Sequence, residues 1–237
     1  MKRKLFKEAF QIKETQGTII TDKEQGVQAA IASIKRNRKA LEEYAARNPI
    51  FLIAFEPVSV PAEPLVARLM AEAAEKAGVG PLAAVAGVLA DLAVKEMLAV
   101  GCKVAVVEDG GEVSAVSDGA VDVAIAAGDT PLSKRFGFRL TDFPIGIATS
   151  SGRFSHAFSF GDAEAATVFC ENAGLADAAA TAVGNVVKGE DCEAAVQRGI
   201  DKALSIEGVE GVLVMYKGFT GTAGKIPQII KVDPKVV

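Results

Sequence analysis

Asp177 and Thr181 are the two side chains whose types and spacing point most directly to chemistry. They lie four residues apart in a stretch that predicts a helix from about Leu175 to Val187, so they share one helical face. A carboxylate beside a hydroxyl suits a hard divalent cation, which prefers oxygen ligands. The alternative is an unpaired Asp beside a Thr on a solvated face, and the spacing alone favours that alternative.

The composition of the same helix favours a ligand or a second backbone against this face. A helix face that meets only water usually carries long Glu and Lys side chains. The face with Asp177 and Thr181 is small and nearly bare until Lys188. We therefore expect the two side chains to point into a cleft.

Two glycine-containing segments earlier in the chain offer further candidates. Gly87 and Asp91 lie four apart on a predicted helix, where a small residue admits a ligand or another backbone. Taken alone, a tightly packed helix pair with a solvated Asp is the favoured interpretation. Gly110 and Gly111 separate two strand-like runs, which indicates a hairpin turn. Consecutive glycines can also present N–H groups to an anion, and the two interpretations are compatible.

A cluster of hydroxyl groups precedes the chain's single histidine. Thr149, Ser150 and Ser151 stand directly before Gly152, and His156 follows four residues later. Hydroxyls beside a glycine can hold a phosphate or a ribose. A lone histidine is more often a structural or surface residue, so its functional interpretation starts as the weaker one.

The elements that must position these residues are two groups of helices along the sequence, with the strands of a sheet between them. The N-terminal segment predicts extended structure around a turn at Gly17, and the run Ile50–Phe55 predicts a strand. Short apolar runs between 103 and 148 predict an antiparallel meander, and two closing strands are expected at 209–216 and 226–232. We expect an α+β layered fold with a mostly antiparallel sheet flanked by helices, forming a single domain over residues 1–237. Predicted helices span about 23–46, 64–77, 81–100, 175–187 and 192–204.

Composition excludes several functional classes. The chain has 237 residues and a formal net charge of −4, without a basic stripe interleaved with aromatic residues, so no nucleic-acid partner is expected. The apolar stretch 81–100 contains Asp91, Lys95 and Glu96, which indicates a buried helix rather than a membrane span. No long apolar run follows the basic N-terminus, and the three cysteines are widely spaced. These features predict a cytoplasmic protein without a membrane partner.

The order of the four segments carries a resemblance. GPLAAVAG with a following AD, then EDGGE, then TSSG with a histidine, then LADAAATAVGN resembles a family of uncharacterised proteins related to ApbE, the FAD:protein FMN transferase. The resemblance implies an ApbE-like fold, FAD and Mg²⁺ as cofactors, and a flavin nucleotide and a protein substrate as partners. It implies His156 as the catalytic residue, and Asp177, Thr181 and the carbonyl of Val85 as metal ligands. The residues implied in flavin binding are Gly87, Asp91, Gly110, Gly111, Thr149, Ser150, Ser151 and Gly152.

Two departures from the ApbE pattern keep three functions open. Ala86 stands where ApbE proteins have a lysine, and Ser159–Asp162 replaces a DPxTG segment. The first hypothesis is a Mg²⁺-dependent enzyme that transfers FMN from FAD. The second is a flavin- or nucleotide-binding protein without transferase activity, which the resemblance connects to sulfide assimilation and homocysteine biosynthesis. The third is a non-catalytic interaction module. Self-association into a homo-oligomer stays open.

Overall fold

The computed structural model describes residues 3–124, 136–151 and 161–231. In these ranges the chain forms α-helices, strands and one short 3-10 helix at Pro81–Ala84. The α-helices are α1 (Glu24–Arg47), α2 (Ile50–Ile53), α3 (Leu65–Ala77), α4 (Val85–Ala99), α5 (Ala173–Val186) and α6 (Cys192–Leu204). The strands are β1 (Phe6–Ile12), β2 (Thr15–Thr21), β3 (Val104–Asp109), β4 (Glu112–Ser117), β5 (Val121–Ala124), β6 (Phe136–Leu140), β7 (Ile145–Ser150), β8 (Ala165–Cys170), β9 (Val209–Tyr216), β10 (Phe219–Gly224) and β11 (Gln228–Lys231).

A large antiparallel sheet organises the fold. Its eight strands lie in the order β1-β2-β3-β4-β7-β8-β9-β10, and a second sheet has the order β11-β6-β5. Every strand pairing described is antiparallel. The predicted α+β fold with a mostly antiparallel sheet flanked by helices is confirmed.

The two faces of the large sheet bury different partners. Because successive side chains of a strand point to opposite faces, one set packs on helices and the other on the small sheet. Ala148, Ala166 and Val168 join the core formed with α3–α6. Ile147 and Phe169 pack instead with Phe138 of the small sheet, and the rings of Phe138 and Phe169 meet edge to face at 4.8 Å. The sheet therefore separates a helical layer from a smaller β layer.

Helix α5 lies at the centre of the helical layer. Its sequence is rich in Ala, which favours helix and allows close packing because the side chain is small. Asn172 caps the start of the helix, since its Oδ1 accepts a hydrogen bond of 2.9 Å from the Leu175 N–H. The helix contacts α3, α4 and α6 as well as β7 and β8. It is therefore buried on most of its circumference.

The predicted strand at Ile50–Phe55 is wrong. The chain forms the short helix α2 there, with Pro49 already in a helical conformation at its start. Only Phe51 is buried in this helix, where its ring contacts Tyr44 edge to face at 5.2 Å. A short apolar run does not by itself distinguish a strand from a helix, and the tertiary contact of Phe51 decides between them here.

The predicted turn at Gly17 is also displaced. The β1–β2 connection falls at Lys13 and Glu14, and Gly17 lies inside β2 opposite Asp109. A Cβ atom at Gly17 would stand 1.9 Å from the Glu108 carbonyl oxygen. The glycine is needed for this close approach of two strands rather than for a turn.

Two strands lie where no strand is predicted, and the strands of the predicted meander belong to two different sheets. Strand β8 is buried along its whole length, so it shows no polar alternation and its alanines suggest helix. Strand β10 follows a turn in which Lys217 and Gly218 have φ values of 47° and 83°, a pairing suited to a two-residue hairpin. Strands β3, β4 and β7 of the predicted meander join the large sheet, whereas β5 and β6 join the small one.

The length and hydropathy of the described helices bear on whether one of them could span a membrane. Within residues 3–124, 136–151 and 161–231, no single helix is long and apolar enough to cross a bilayer. Leu65–Ala77 and Pro81–Ala99 reach that length and composition only as a pair bent by 103°.

Candidate functional site

Asp177 contacts the first turn of α4. The Gly87 N–H donates a hydrogen bond of 3.0 Å to Asp177 Oδ2, and the Ala86 N–H also reaches this carboxylate. A helix N-terminus leaves such N–H groups without partners and carries a partial positive charge, so it favours a carboxylate at this position. The structure therefore brings Gly87 and Asp177 together, whereas binding of a ligand by these residues stays a prediction.

Gly87 is needed because α5 approaches α4 closely. A Cβ atom at Gly87 would lie 2.2 Å from the carbonyl oxygen of Ala173. The sequence leaves open whether a ligand or a second backbone meets this glycine, and the structure shows a backbone. The two helices can cross this closely only with a glycine at the contact.

We expect Gly87→Ala to destabilise the protein by about 1–3 kcal/mol, the usual cost of overpacking a tight contact. Urea denaturation would measure the loss as a lower midpoint. Gly119→Ala is the matched control, because a Cβ atom there would meet no atom within 4 Å. Equal midpoints for the two variants would contradict the close packing of α4 on α5.

Asp177, Thr181 and Asn185 form the open side of α5, which we call the α5 stripe. All three are partly exposed, whereas the residues between Asp177 and Asn185 are buried. Their spacing of four residues places them on one face of the helix. The stripe is therefore the place where a ligand can reach this otherwise buried helix.

The β3–β4 hairpin brings further carboxylates to this region. We call its residues 108–112 the acidic hairpin, which contains Glu108, Asp109 and Glu112 around Gly110 and Gly111. Asp109 pairs with Glu112 across the two strands, so their side chains share a face of the sheet. Ser114, two residues further along β4, contacts Asp91 of α4, which places that face on the helical side. Asp109 and Glu112 of the acidic hairpin therefore face the helical layer that contains Asp177.

The turn of the acidic hairpin uses its own N–H groups. Gly110 and Gly111 have φ values of 68° and 115°, which favour glycine. The Gly110 N–H donates to the Gln16 carbonyl at 3.0 Å, and the Gly111 N–H donates to Glu108 Oε1 at 2.9 Å. The predicted hairpin is thus confirmed, and in this structure both N–H groups have protein partners.

The carboxylates raise one another's pKa values. Burial, followed by the charge of Glu108, raises the pKa of Asp109 to about 7. Burial, and then the charges of Asp177, Asp109 and Glu108, hold the pKa of Glu112 well above its usual range. Burial also raises the pKa of Asp177, while the Gly87 N–H opposes this shift. The site therefore holds carboxyl groups whose ionised forms are disfavoured, and a bound cation would favour those ionised forms.

A cation here would need oxygen ligands other than carboxylates. Among residues 3–124, 136–151 and 161–231, no three Asp, Glu, His or Cys side chains converge as a metal site would require. Asp177 and Thr181 could contribute a carboxylate and a hydroxyl oxygen. Val85 is the first residue of α4 and precedes the Ala86 and Gly87 N–H groups that meet Asp177. The role of its carbonyl as a ligand stays a prediction.

Asp91 is partly exposed, and its carboxylate has partners within the protein. Its Oδ1 and Oδ2 accept hydrogen bonds from the N–H groups of Ala173 and Gly174, at 2.9 and 2.8 Å. The Ser114 hydroxyl also contacts it, and burial raises the pKa of its carboxyl group. Asp91 thus binds the first turn of α5, and a contact with a flavin stays a prediction.

The hydroxyl cluster at the end of β7 is divided between the two faces of the sheet. Thr149 Oγ1 and Thr167 Oγ1 form a hydrogen bond of 2.9 Å. By alternation along β7, Ser150 shares the helical side with Ala148, and Thr149 shares the other side with Ile147. Ser151 is buried, and its hydroxyl has no partner among the described residues. Of this cluster, the strand places Ser150 on the face that contains Asp177.

Gly152 and His156 lie outside the described residues. The chain is described again at Gly161, where a Cβ atom would lie 1.8 Å from the Gly184 carbonyl oxygen of α5. The catalytic role of His156 and the flavin contact of Gly152 stay predictions.

Asp109 and Glu112 are the candidate residues that sequence analysis missed. In the motif EDGGE, the two glycines are the residues that indicate anion binding. The available signal was the hairpin itself, because residues that flank a two-residue turn are cross-strand neighbours on one face. Their position opposite α5 depends on the order of strands in the sheet, which the motif does not contain.

Comparison with known proteins identifies the family. A family model described as "AbpE bacteria" matches residues 3–208. A UPF0280 protein of Methanococcus vannielii is 37% identical over 98% of this chain and 95% of its own length. A UPF0280 protein of Methanopyrus kandleri is 42% identical over 92% of this chain and 90% of its own length.

Solved structures of ApbE proteins share the fold. The flavinyl transferase ApbE of Pseudomonas stutzeri, in its apo form, matches with a TM-score of 0.58 at 13% identity, covering 93% of this chain and 94% of that one. The ApbE protein of Thermotoga maritima matches with a TM-score of 0.55 at 14% identity, covering 98% of both chains. The family match, the UPF0280 relatives and this shared fold together show that the chain belongs to the ApbE-like family of UPF0280 proteins.

Proposed function

We propose that the chain binds FAD together with Mg²⁺ at the α5 stripe and transfers the FMN part of FAD to a hydroxyl group of a protein substrate. The observation that carries this proposal is the partial exposure of Asp177 and Thr181 on a helix whose other residues from Ala173 to Gly184 are buried, with Asp177 set against the start of α4. The Pseudomonas stutzeri protein with the same fold is named a flavinyl transferase. We also propose that the protein acts in the cytoplasm.

The residues present fit a hard cation. Asp177 would supply a carboxylate and Thr181 a hydroxyl, and a bound cation would favour the ionised forms of Asp177 and the neighbouring Glu112, whose pKa values burial raises. Magnesium usually keeps several waters and shares oxygens with a substrate phosphate, so a sparse protein ligand set suits it. When bound, the cation would neutralise charge on the pyrophosphate of FAD.

The chain's own groups would position the nucleotide and move a proton. Asp177, whose carboxylate accepts the Gly87 N–H, would hold the cation that the pyrophosphate of FAD approaches. His156 would accept the proton of the incoming hydroxyl as that oxygen forms a bond to phosphorus. The bond to the AMP phosphate breaks in the same reaction, and AMP leaves.

A second candidate is a flavin-binding protein without transferase activity. Ala86 in place of a lysine favours it, as does the segment Ser159–Asp162 in place of DPxTG. Both changes leave Asp177 and Thr181 themselves in place, so binding would survive the loss of transfer.

We expect the purified protein to release AMP from FAD in the presence of Mg²⁺ and to add FMN to a threonine-containing acceptor protein, detected by mass. Asp177→Asn is the matched control and should lower both products at least tenfold. Bound FAD without AMP release or an adduct would support the second candidate instead. If the protein binds no added FAD and releases no flavin or nucleotide when it is denatured, both candidates would be contradicted.

A further inference from the structure

The two helices that form the site cap each other. Helix α4 has Ala86-Gly87 in its first turn, and α5 begins with Ala173-Gly174. The N–H groups of each pair reach the Asp of the other helix. Helix α4 receives Asp177, and α5 receives Asp91. Because a carboxylate at a helix N-terminus satisfies N–H groups that have no partner in the helix, each Asp stabilises the helix opposite its own.

The glycines restrict how the two helices can move. A Cβ atom at Gly174 would lie 2.6 Å from Val88 Cγ2, and one at Gly87 would lie 2.2 Å from the Ala173 carbonyl oxygen. A slide or rotation of one helix would bring backbone atoms into conflict with the other. The close contacts that fix the position of α5 on α4 therefore lie beside the two caps.

The two carboxylates have different surroundings. Both oxygens of Asp91 accept N–H groups, and the Ser114 hydroxyl adds a third contact. Asp177 lies instead on the α5 stripe and feels the charge of Asp109. Asp91 is thus fully engaged in the protein, whereas Asp177 faces the proposed ligand.

We propose that Asp91 is a positioning residue that fixes the first turn of α5 against α4 and thereby holds Asp177, three residues after Gly174, at the Gly87 N–H. Loss of Asp91 would leave the N–H groups of Ala173 and Gly174, at the start of α5, without this acceptor. Asp177 would then lose its fixed distance to α4. The part of this inference that concerns metal binding rests on the proposed function, whereas the link between Asp91 and the Gly87 N–H does not.

The test measures hydrogen exchange of glycine amides in protein labelled with ¹⁵N-glycine. In Asp91→Ala we expect Gly174 to lose protection directly, and Gly87 to exchange at least tenfold faster although its N–H donates to Asp177 rather than to the Asp91 side chain. Asp191→Ala is the control, since it removes a 3.0 Å cap of the Ala194 N–H on α6 and leaves both caps of α4 and α5 in place. Asp91→Asn keeps one acceptor oxygen and should give an intermediate rate for Gly87.

Two readouts separate this inference from the proposed function. Gly87 exchange in Asp91→Ala within twofold of that in Asp191→Ala would overturn the positioning role. If Asp91→Ala does not fold, an unchanged Gly87 rate in Asp91→Asn overturns it equally. Mn²⁺ titration should show at least tenfold weaker binding in Asp91→Ala than in Asp191→Ala. Failure of the wild type to bind Mn²⁺ would reject the proposed metal site, and the Gly87 amide would still decide the role of Asp91.

Discussion

Asp177→Ala is expected to remove the dependence of nucleotide binding on Mg²⁺. In the wild type, Mg²⁺ should strengthen binding of FAD or ADP by about 10- to 100-fold, the range of a typical coupling between two ligands. The physical reason is that the Asp177 charge lies beside other carboxylates, so a cation is needed before a pyrophosphate can approach. Calorimetric titration of wild type and variant, with and without Mg²⁺, measures all four affinities.

Asp177→Asn sharpens the same experiment. The amide oxygen can still accept the Gly87 N–H, whereas the charge is lost. If the charge binds the cation, Asn and Ala should lose the Mg²⁺ effect equally. Asp191→Asn, at the start of α6, should retain it. Equal nucleotide affinity in all four wild-type and Asp177→Ala titrations would show that the metal hypothesis is wrong.

The second large effect is expected in the pH dependence of stability. The pKa of Asp109 is about 7 in the folded protein, against an ordinary value of 3.8. Between these values the folded state holds a proton that the unfolded state releases, so stability is greater below this window and falls as pH rises through it. Each pKa unit corresponds to about 1.4 kcal/mol, which sets an upper limit of about 4 kcal/mol for this carboxyl.

Asp109→Asn should therefore flatten the stability profile. We expect the variant to be less pH-dependent than the wild type between pH 5 and 8 and more stable than it at pH 8, measured by urea denaturation without divalent cations. Asp122→Asn is the control, because its hydrogen bonds to Arg139 lower the pKa of Asp122 and move its titration below this range. If the stability of the wild type and of Asp109→Asn changed equally between pH 5 and 8, the raised pKa of Asp109 would be contradicted.

The fold class and the candidate residues on α5 could be predicted from the sequence. Strand β8 and the partners of Asp91 could not. Helix α5 was predictable because its small side chains, its Asp and its Thr follow one helical period. Strand β8 was not, because a strand buried on both faces loses the alternation that would reveal it. Asp91 was recognised as a candidate, yet its partners Ala173 and Gly174 lie more than 80 residues away along the chain. Such a contact follows from the packing of two helices, which a local pattern does not contain.

The mutual caps of α4 and α5 also limit changes in chain length. An α-helix turns by about 100° per residue, so one residue inserted between Gly87 and Asp91 would carry the Asp91 carboxylate away from α5. An insertion between Gly174 and Asp177 would do the same to the carboxylate that meets α4. Neither segment can gain or lose a residue without depriving the other helix of its cap. Both spacings are therefore expected to stay fixed together, whereas loops away from this crossing are free to vary in length.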